Sequence, residues 1–225
     1  MTGQTVDSGS VPTGVLLVNL GTPESPSPAD VRRYLKEFLW DPRVVELSRP
    51  LWWLVLNLVI LNTRPRRSAK AYAKVWTDAG SPLMVISRQQ HAALQAALEQ
   101  QPGAPVKVVL AMRYGKPSIA AGMQELRAAG VKRLLVLPLY PQYSATTTAT
   151  IVDAVADELR RWRVLPELRF INDYHEHPSY IEALADSVRR YQAVHGEPDR
   201  LLLSFHGIPQ DYVDAGDPYA TQCYR

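Results

Sequence analysis

The chain has 225 residues, 46% of them hydrophobic and 21% charged, the composition of a folded globular protein rather than a disordered or fibrous one. Its length suits one to two domains of about 150 residues each, with a core that needs neither disulfides nor a structural metal. A formal charge of +3 and a pI near 9.0 are too mildly basic to argue for a nucleic-acid partner. The single cysteine, Cys223, excludes an intramolecular disulfide and any zinc or iron–sulfur site built from several cysteines of this chain, and it fits a reducing compartment.

Residues 1–13 are polar and small, without the basic start or apolar run of a secretory signal, and read as a loose tail. Gly14–Leu20 (GVLLVNL) reads as a strand ending in the turn Gly21-Thr22-Pro23. Ser27-Pro28-Ala29-Asp30 opens a helix that runs to about Trp40, with Ser27 as N-cap, proline at the first helical position and an acid in the first turn. The apolar run Leu51–Leu61 (LWWLVLNLVIL) is too short for a bilayer span, which needs about 20 apolar residues. It reads as a buried helix, an interfacial segment or the lip of an apolar cleft, with Arg64, Arg66, Arg67 and Lys70 as a basic rim. Arg64–Val75 and Pro82–Glu99 are predicted helices. Then follow a strand at Val106–Met112, a helix at Ser118–Ala129 stopped by Gly130, and a strand at Arg133–Leu139. A helix at Thr146–Arg161, a short strand at Leu168–Ile171, a helix at Ser179–Val194 and a fifth strand at Leu201–Phe205 complete the series.

Continuously apolar strands alternating with helices predict a doubly wound α/β fold, a parallel sheet covered on both faces. The fifth strand ends near residue 205, and Gly216–Arg225 reads as a helix begun but not finished. One strand without a finished helix cannot bury its two faces. The sequence is therefore expected to be part of a longer protein, or to need another chain.

In such sheets ligands sit beyond the carboxyl ends of the strands. The residues there are Asn19-Leu20-Gly21, Arg113-Tyr114-Gly115, Tyr140-Pro141-Gln142-Tyr143-Ser144, Asp173-Tyr174-His175 and His206-Gly207. GxGxxG, GxxxxGK and GxSxG are all missing from the sequence, which argues against a nucleotide-phosphate cradle and a serine-hydrolase elbow. His206 follows a strand directly and precedes Gly207-Ile208-Pro209. It either shapes a turn or serves as a ligand for a metal such as Fe²⁺ and an acceptor of a proton near pH 7. Arg113 either pairs with a helix acid or offers a fork to a carboxylate, with Tyr114 as a flat face beside it. Thr146-Thr147-Thr148 supply N-cap candidates, which leaves the two tyrosines of the preceding loop unexplained. His175 and His177 flank Glu176 in what reads as a solvated loop. His91 and His195 are given no role.

Taken together, LLVNLGTPESP (16–26), AYAKVWTDAGSPL (71–83), AMRYGKPSI (111–119), LPLYPQYSATTT (137–148) and LLLSFHGIPQDYVDAGDPY (201–219) resemble the ferrochelatase family, whose members insert ferrous iron into a porphyrin. The segments keep the family's order and spacing across almost the whole chain, and PQYS with SFHGIP is highly specific. The resemblance implies two similar Rossmann-like halves with the porphyrin between them. On that scheme residues 14–178 form the first domain, with an apolar lip at 49–68, and residues 179–225 begin the second.

The resemblance further implies that His206 is the active-site histidine, both iron ligand and acceptor of a pyrrole proton. Leu20, Arg113, Tyr114, Tyr140 and Thr146 match porphyrin-side positions, Tyr140 lying on a proposed metal route. Ferrous iron enters as substrate. A glutamate essential to the family's site lies beyond Arg225 in the family's pattern, and family chains are usually a third or more longer. Some members hold a [2Fe–2S] cluster through four cysteines; Ala145 stands at one such position, so no cluster is expected from this segment.

The implied reaction is that of a lyase of haem biosynthesis: Fe²⁺ enters protoporphyrin IX to give protohaem with release of two protons. A coproporphyrin ferrochelatase and a non-catalytic porphyrin- or haem-binding fragment are the alternatives; the well-developed lip favours protoporphyrin. Cobalt chelatases of the same broad fold lack the pairing of PQYS with SFHGIP. The expected setting is the cytoplasm, with peripheral membrane contact through Leu51–Leu61.

Overall fold

Strand β1 (Thr13–Asn19) is apolar at successive rather than alternate positions, and every residue from Gly14 to Val18 is buried. Such a strand needs cover on both faces. The computed structural model, which describes residues 11–103 and 105–225, supplies it. Residues 1–10 of the expected tail lie outside the described residues, and Thr13 already belongs to β1. Parallel strands β2 (Val106–Met112), β3 (Arg133–Pro138) and β4 (Glu167–Phe170) complete a sheet of order β2-β1-β3-β4. Leu16 pairs with Val109 on one side and Val136 on the other, which fixes the register at the centre.

The even and odd residues of β1 serve different helices. Leu16 and Val18 join Val109, Leu134 and Val136 against Ile119, Met123 and Leu126 of α5 (Ile119–Ala128) and Ile151 and Val155 of α6 (Thr150–Leu159). Val15, Leu17 and Val108 face Leu94 and Leu98 of α4 (Pro82–Glu99). Gly122 lets α5 lie close to β1, because a Cβ there would sit 2.9 Å from Leu16 Cδ1. Burying each large apolar side chain in these layers stabilises the fold by about 1.5–3 kcal/mol.

Helix α1 (Pro28–Trp40) starts as its sequence predicts, with the Ser27 hydroxyl accepting from the Asp30 amide at 3.2 Å. The apolar run and the basic segment after it are one helical stretch rather than two elements. It comprises α2 (Arg49–Leu54), a π-helical segment Val55–Ile60 and α3 (Leu61–Val75). Pro65 stands inside α3 and cannot donate to Leu61, four residues back; the Leu61 carbonyl instead accepts from the Arg32 guanidinium of α1. Trp52, Leu56 and Leu61 bury one stripe against Leu35 and Leu39 of α1. Leu51, Trp53, Leu54, Leu58 and Val59 remain exposed on the other. Among the described residues no helix is long and apolar enough to cross a membrane.

The fifth predicted strand does not form. Leu201–Phe205 joins no ladder, and Leu202 and Leu203 are 81% and 75% exposed. Its composition suits burial on two faces, but an extended segment becomes a strand only when another edge satisfies its backbone groups, and β2 and β4 end the sheet without it. Helix α7 (Pro178–His195) precedes it and buries none of its residues. Beyond it come two short helices, α8 (Gln210–Asp214) and α9 (Tyr219–Cys223).

Candidate functional site

Chain connections leave β1 toward β2 and β3 toward β4, on opposite sides of the sheet, so the crevice at the carboxyl ends of β1 and β3 is the switch point where a ligand fits. Backbone bonds prolong the ladders into that edge. Arg113 N donates to Asn19 O at 2.8 Å, Tyr114 N to Leu20 O at 2.9 Å, and Leu139 N to Val18 O at 2.7 Å. Gly21 makes the turn after β1 with φ +104°, and a Cβ there would lie 1.8 Å from the Tyr114 carbonyl oxygen. The three strand ends thus form one rigid shelf carrying Leu20, Arg113, Tyr114 and Tyr140.

Asp41, at the carboxyl end of α1, organises this shelf. Its Oδ2 accepts from Arg113 Nη2 at 2.5 Å and from the Tyr114 hydroxyl at 2.9 Å. The aspartate side chain is 4% exposed and the arginine 17%. Arg113 stacks over the Tyr114 ring at 4.5 Å, and Phe38 meets the same ring edge-on at 5.1 Å. Burial, which disfavours the phenolate, pushes the Tyr114 hydroxyl well above its ordinary range. Of the two readings of Arg113, the pairing with a helix-end acid is realised. Its Nε is nevertheless buried without a hydrogen-bond partner among the described residues. The Arg113 side chain borders a cavity of about 460 Å³ shared with Trp40, Asp41, Asp153 and Arg160.

Tyr140 also has its hydroxyl enclosed and unpartnered among the described residues, and burial raises its pKa strongly. Thr146 lies in the π-helical turn Ala145–Ala149 that leads into α6; its amide donates to the Ser144 hydroxyl at 3.2 Å. A second cavity, of about 670 Å³, is lined by Thr22, Trp76, Ser81, Arg88, Lys116 and Ser118, and by none of the expected site residues. Ser81 accepts from the Thr22 hydroxyl there at 2.9 Å.

His206 lies outside the shelf, exposed in the unpaired segment. The histidines around Glu176 are not a solvated pair: His175 is buried with Nδ1 3.1 Å from Asp173, and His177 caps α7 by accepting from the Ser179 amide. Among the described residues no three His, Cys, Asp or Glu side chains are arranged to hold a metal ion. Sequence reasoning missed Asp41 and the Asp217 carboxylate, and it read Ser81 only as the N-cap of α4, where its side chain makes no capping bond. None stands at the end of a predicted strand, and only the Asp-Pro that closes α1 hinted at a special role for Asp41.

A family model named ferrochelatase matches residues 12–225, nearly the whole chain. The chain belongs to the ferrochelatase family. It is 58% identical over 211 residues to the ferrochelatase of Thioalkalivibrio sulfidiphilus, covering 94% of this chain and 57% of that protein. The ferrochelatase of Aromatoleum aromaticum is 55% identical, with 94% and 58% covered, and that of Methylococcus capsulatus 54%, with 94% and 63%. The chain thus spans about three fifths of the length of the ferrochelatases it matches. The Arg113–Tyr114–Asp41 shelf and the Tyr140 loop are accordingly features of a ferrochelatase segment, and membership agrees with the resemblance carried by the strand-end motifs.

Proposed function

We propose that this chain supplies the first half of a ferrochelatase that inserts Fe²⁺ into protoporphyrin IX, yielding protohaem and two protons, as a lyase of haem biosynthesis. The observation that carries the reading is the buried Arg113–Asp41–Tyr114 cluster at the sheet's switch point in a chain of this family. Insertion faces three obstacles: the metal must shed water, two pyrrole protons must leave, and a flat ring must pucker. A shelf of aromatic and apolar side chains can hold a distorted macrocycle using binding energy from its edges. Arg113 lines the adjoining cavity with part of its guanidinium exposed, which suits a charge-assisted hydrogen bond to a propionate, while Asp41 holds its Nη2 in place. Leu20 and Thr146 border the same edge, and Tyr140 offers its enclosed hydroxyl. His206 is assigned the proton-accepting and iron-ligating role, since a neutral imidazole can do either near pH 7.

The exposed stripe Leu51, Trp53, Leu54, Leu58 and Val59 supports peripheral contact with a cytoplasmic membrane surface, where porphyrins partition. The same stripe favours protoporphyrin over the more carboxylated coproporphyrin.

The test is His206→Ala in the full-length protein. The expected result is loss of zinc or iron insertion, followed by porphyrin absorbance, with porphyrin fluorescence still quenched on binding. Near-normal insertion would overturn the role of His206. Porphyrin binding by the unaltered protein without turnover would favour the non-catalytic binder.

A further inference from the structure

The segment after His206 is tied to the ligand edge by side chains the reaction scheme does not use. Asp217 Oδ2 accepts from the Ser144 hydroxyl at 2.8 Å and from the Ala145 amide at 2.7 Å, while its Oδ1 accepts from the Tyr219 amide at 3.0 Å. Gln222 Oε1 accepts from the Tyr143 amide at 2.6 Å. The Tyr212 hydroxyl donates to Val44 O at 3.3 Å, in the loop that follows Asp41. Three successive residues of the β3 loop thus send donors to one distal segment.

The chemistry explains the choice of groups. Ala145 opens the helical turn before α6, where the first amides have no partner within the helix. The Ser144 hydroxyl serves the Thr146 amide, and a carboxylate from 72 residues away serves Ala145. Negative charge is favoured at that end of a helix. Ser144 is buried, 1% exposed, and Asp217 gives its hydroxyl a charged acceptor beside the Thr146 hydroxyl 2.9 Å away. The loop so fixed begins at Tyr140 and ends at Thr146. The segment that fixes it begins eleven residues after His206.

We propose that Asp217, assisted by Gln222, is a positioning residue: a latch that holds the His206-bearing segment in register with the Tyr140–Thr146 loop. The proposal rests on the ferrochelatase reading for its catalytic consequence and on the hydrogen bonds alone for the latch. In the full-length protein Asp217→Asn keeps the volume but loses the charge. It is expected to lower kcat for metal insertion tenfold or more while KM for porphyrin stays within threefold, because Arg113 and Tyr114 at the macrocycle's edge are held by Asp41 rather than by Asp217. Added to His206→Ala it should cause no further loss. Amide hydrogen exchange at Tyr143 and Ala145 should quicken at least tenfold in Asp217→Asn, and at Tyr143 in Gln222→Leu.

Unchanged exchange at these amides overturns the latch. Faster exchange with kcat within twofold of normal, or a rise in KM at constant kcat, overturns the positioning role and leaves the ferrochelatase reading standing. An unaltered protein that inserts no metal overturns that reading instead, and with it the catalytic part of the proposal. The exchange measurement still decides whether the latch exists.

Discussion

Replacing Asp41 by alanine would strand a guanidinium and a phenol at once. The aspartate side chain is 4% exposed and its Arg113 partner 17%, so solvent screens this pair far less than a surface ion pair. Removing one partner of a buried pair costs about 3–5 kcal/mol, much of it the desolvated charge left behind. Partial exposure of Arg113 places this pair toward the lower end of that range. The Tyr114 hydroxyl, 2.9 Å from the same oxygen, adds about 1 kcal/mol. Asp41→Ala is therefore expected to lower unfolding free energy by about 4 kcal/mol, a fall in Tm of about 8–16 °C for a chain of this size. Urea denaturation followed by tryptophan fluorescence measures it. The companion variant Arg113→Met, which removes the stranded charge, should recover about half of the loss when combined with Asp41→Ala. A loss under about 1 kcal/mol for Asp41→Ala, or simple additivity in the double variant, would refute the reasoning that this carboxylate holds the shelf together.

Burial raises the pKa of Tyr34, Tyr114, Tyr140 and Tyr174, the last to about 12. Each binds its phenolic proton more tightly folded than unfolded, so its contribution is fully present below about pH 10 and is lost as pH rises through the folded value. Stability should fall as pH rises above about 10, and Tyr140→Phe should make the fall shallower without lowering stability at pH 7, since its hydroxyl has no partner among the described residues; an unaltered alkaline slope counts against this. Gly21→Ala should cost about 3 kcal/mol or more in denaturation experiments, because φ is positive there and the new Cβ meets the Tyr114 carbonyl. A loss below 1 kcal/mol, by the same rough scale, would mean the strand-end shelf yields easily. Trp53→Ser with Leu58→Ser should reduce co-sedimentation with anionic vesicles at least tenfold while shifting stability by about 0.5 kcal/mol or less, as both side chains are exposed. Equal co-sedimentation removes the case for lipid contact.

Four of the five expected strands and their parallel pairing were legible along the chain because those features depend on local apolar periodicity and on the chirality of crossovers. The Ser27 cap and Pro28 start of α1 were readable for the same reason: both partners of each contact lie within four residues. Family membership was legible too, through motifs that cluster at strand ends.

Four things needed the tertiary structure. That Arg113 meets an acid, and that the acid is Asp41, depends on α1 ending 72 residues earlier in sequence yet beside β2 in space. The continuity of the helix from Arg49 to Val75 depends on Arg32 satisfying the carbonyl that Pro65 leaves open. Leu201–Phe205 has the residues of a strand but pairs with neither edge of the sheet, and strand identity belongs to a pair, not to a segment. The Asp217 contact closes a loop of seventy-odd residues, and no local pattern encodes a partner so distant. Periodicity tells a chain which faces to bury; only the assembled layers decide which polar groups meet once those faces are covered.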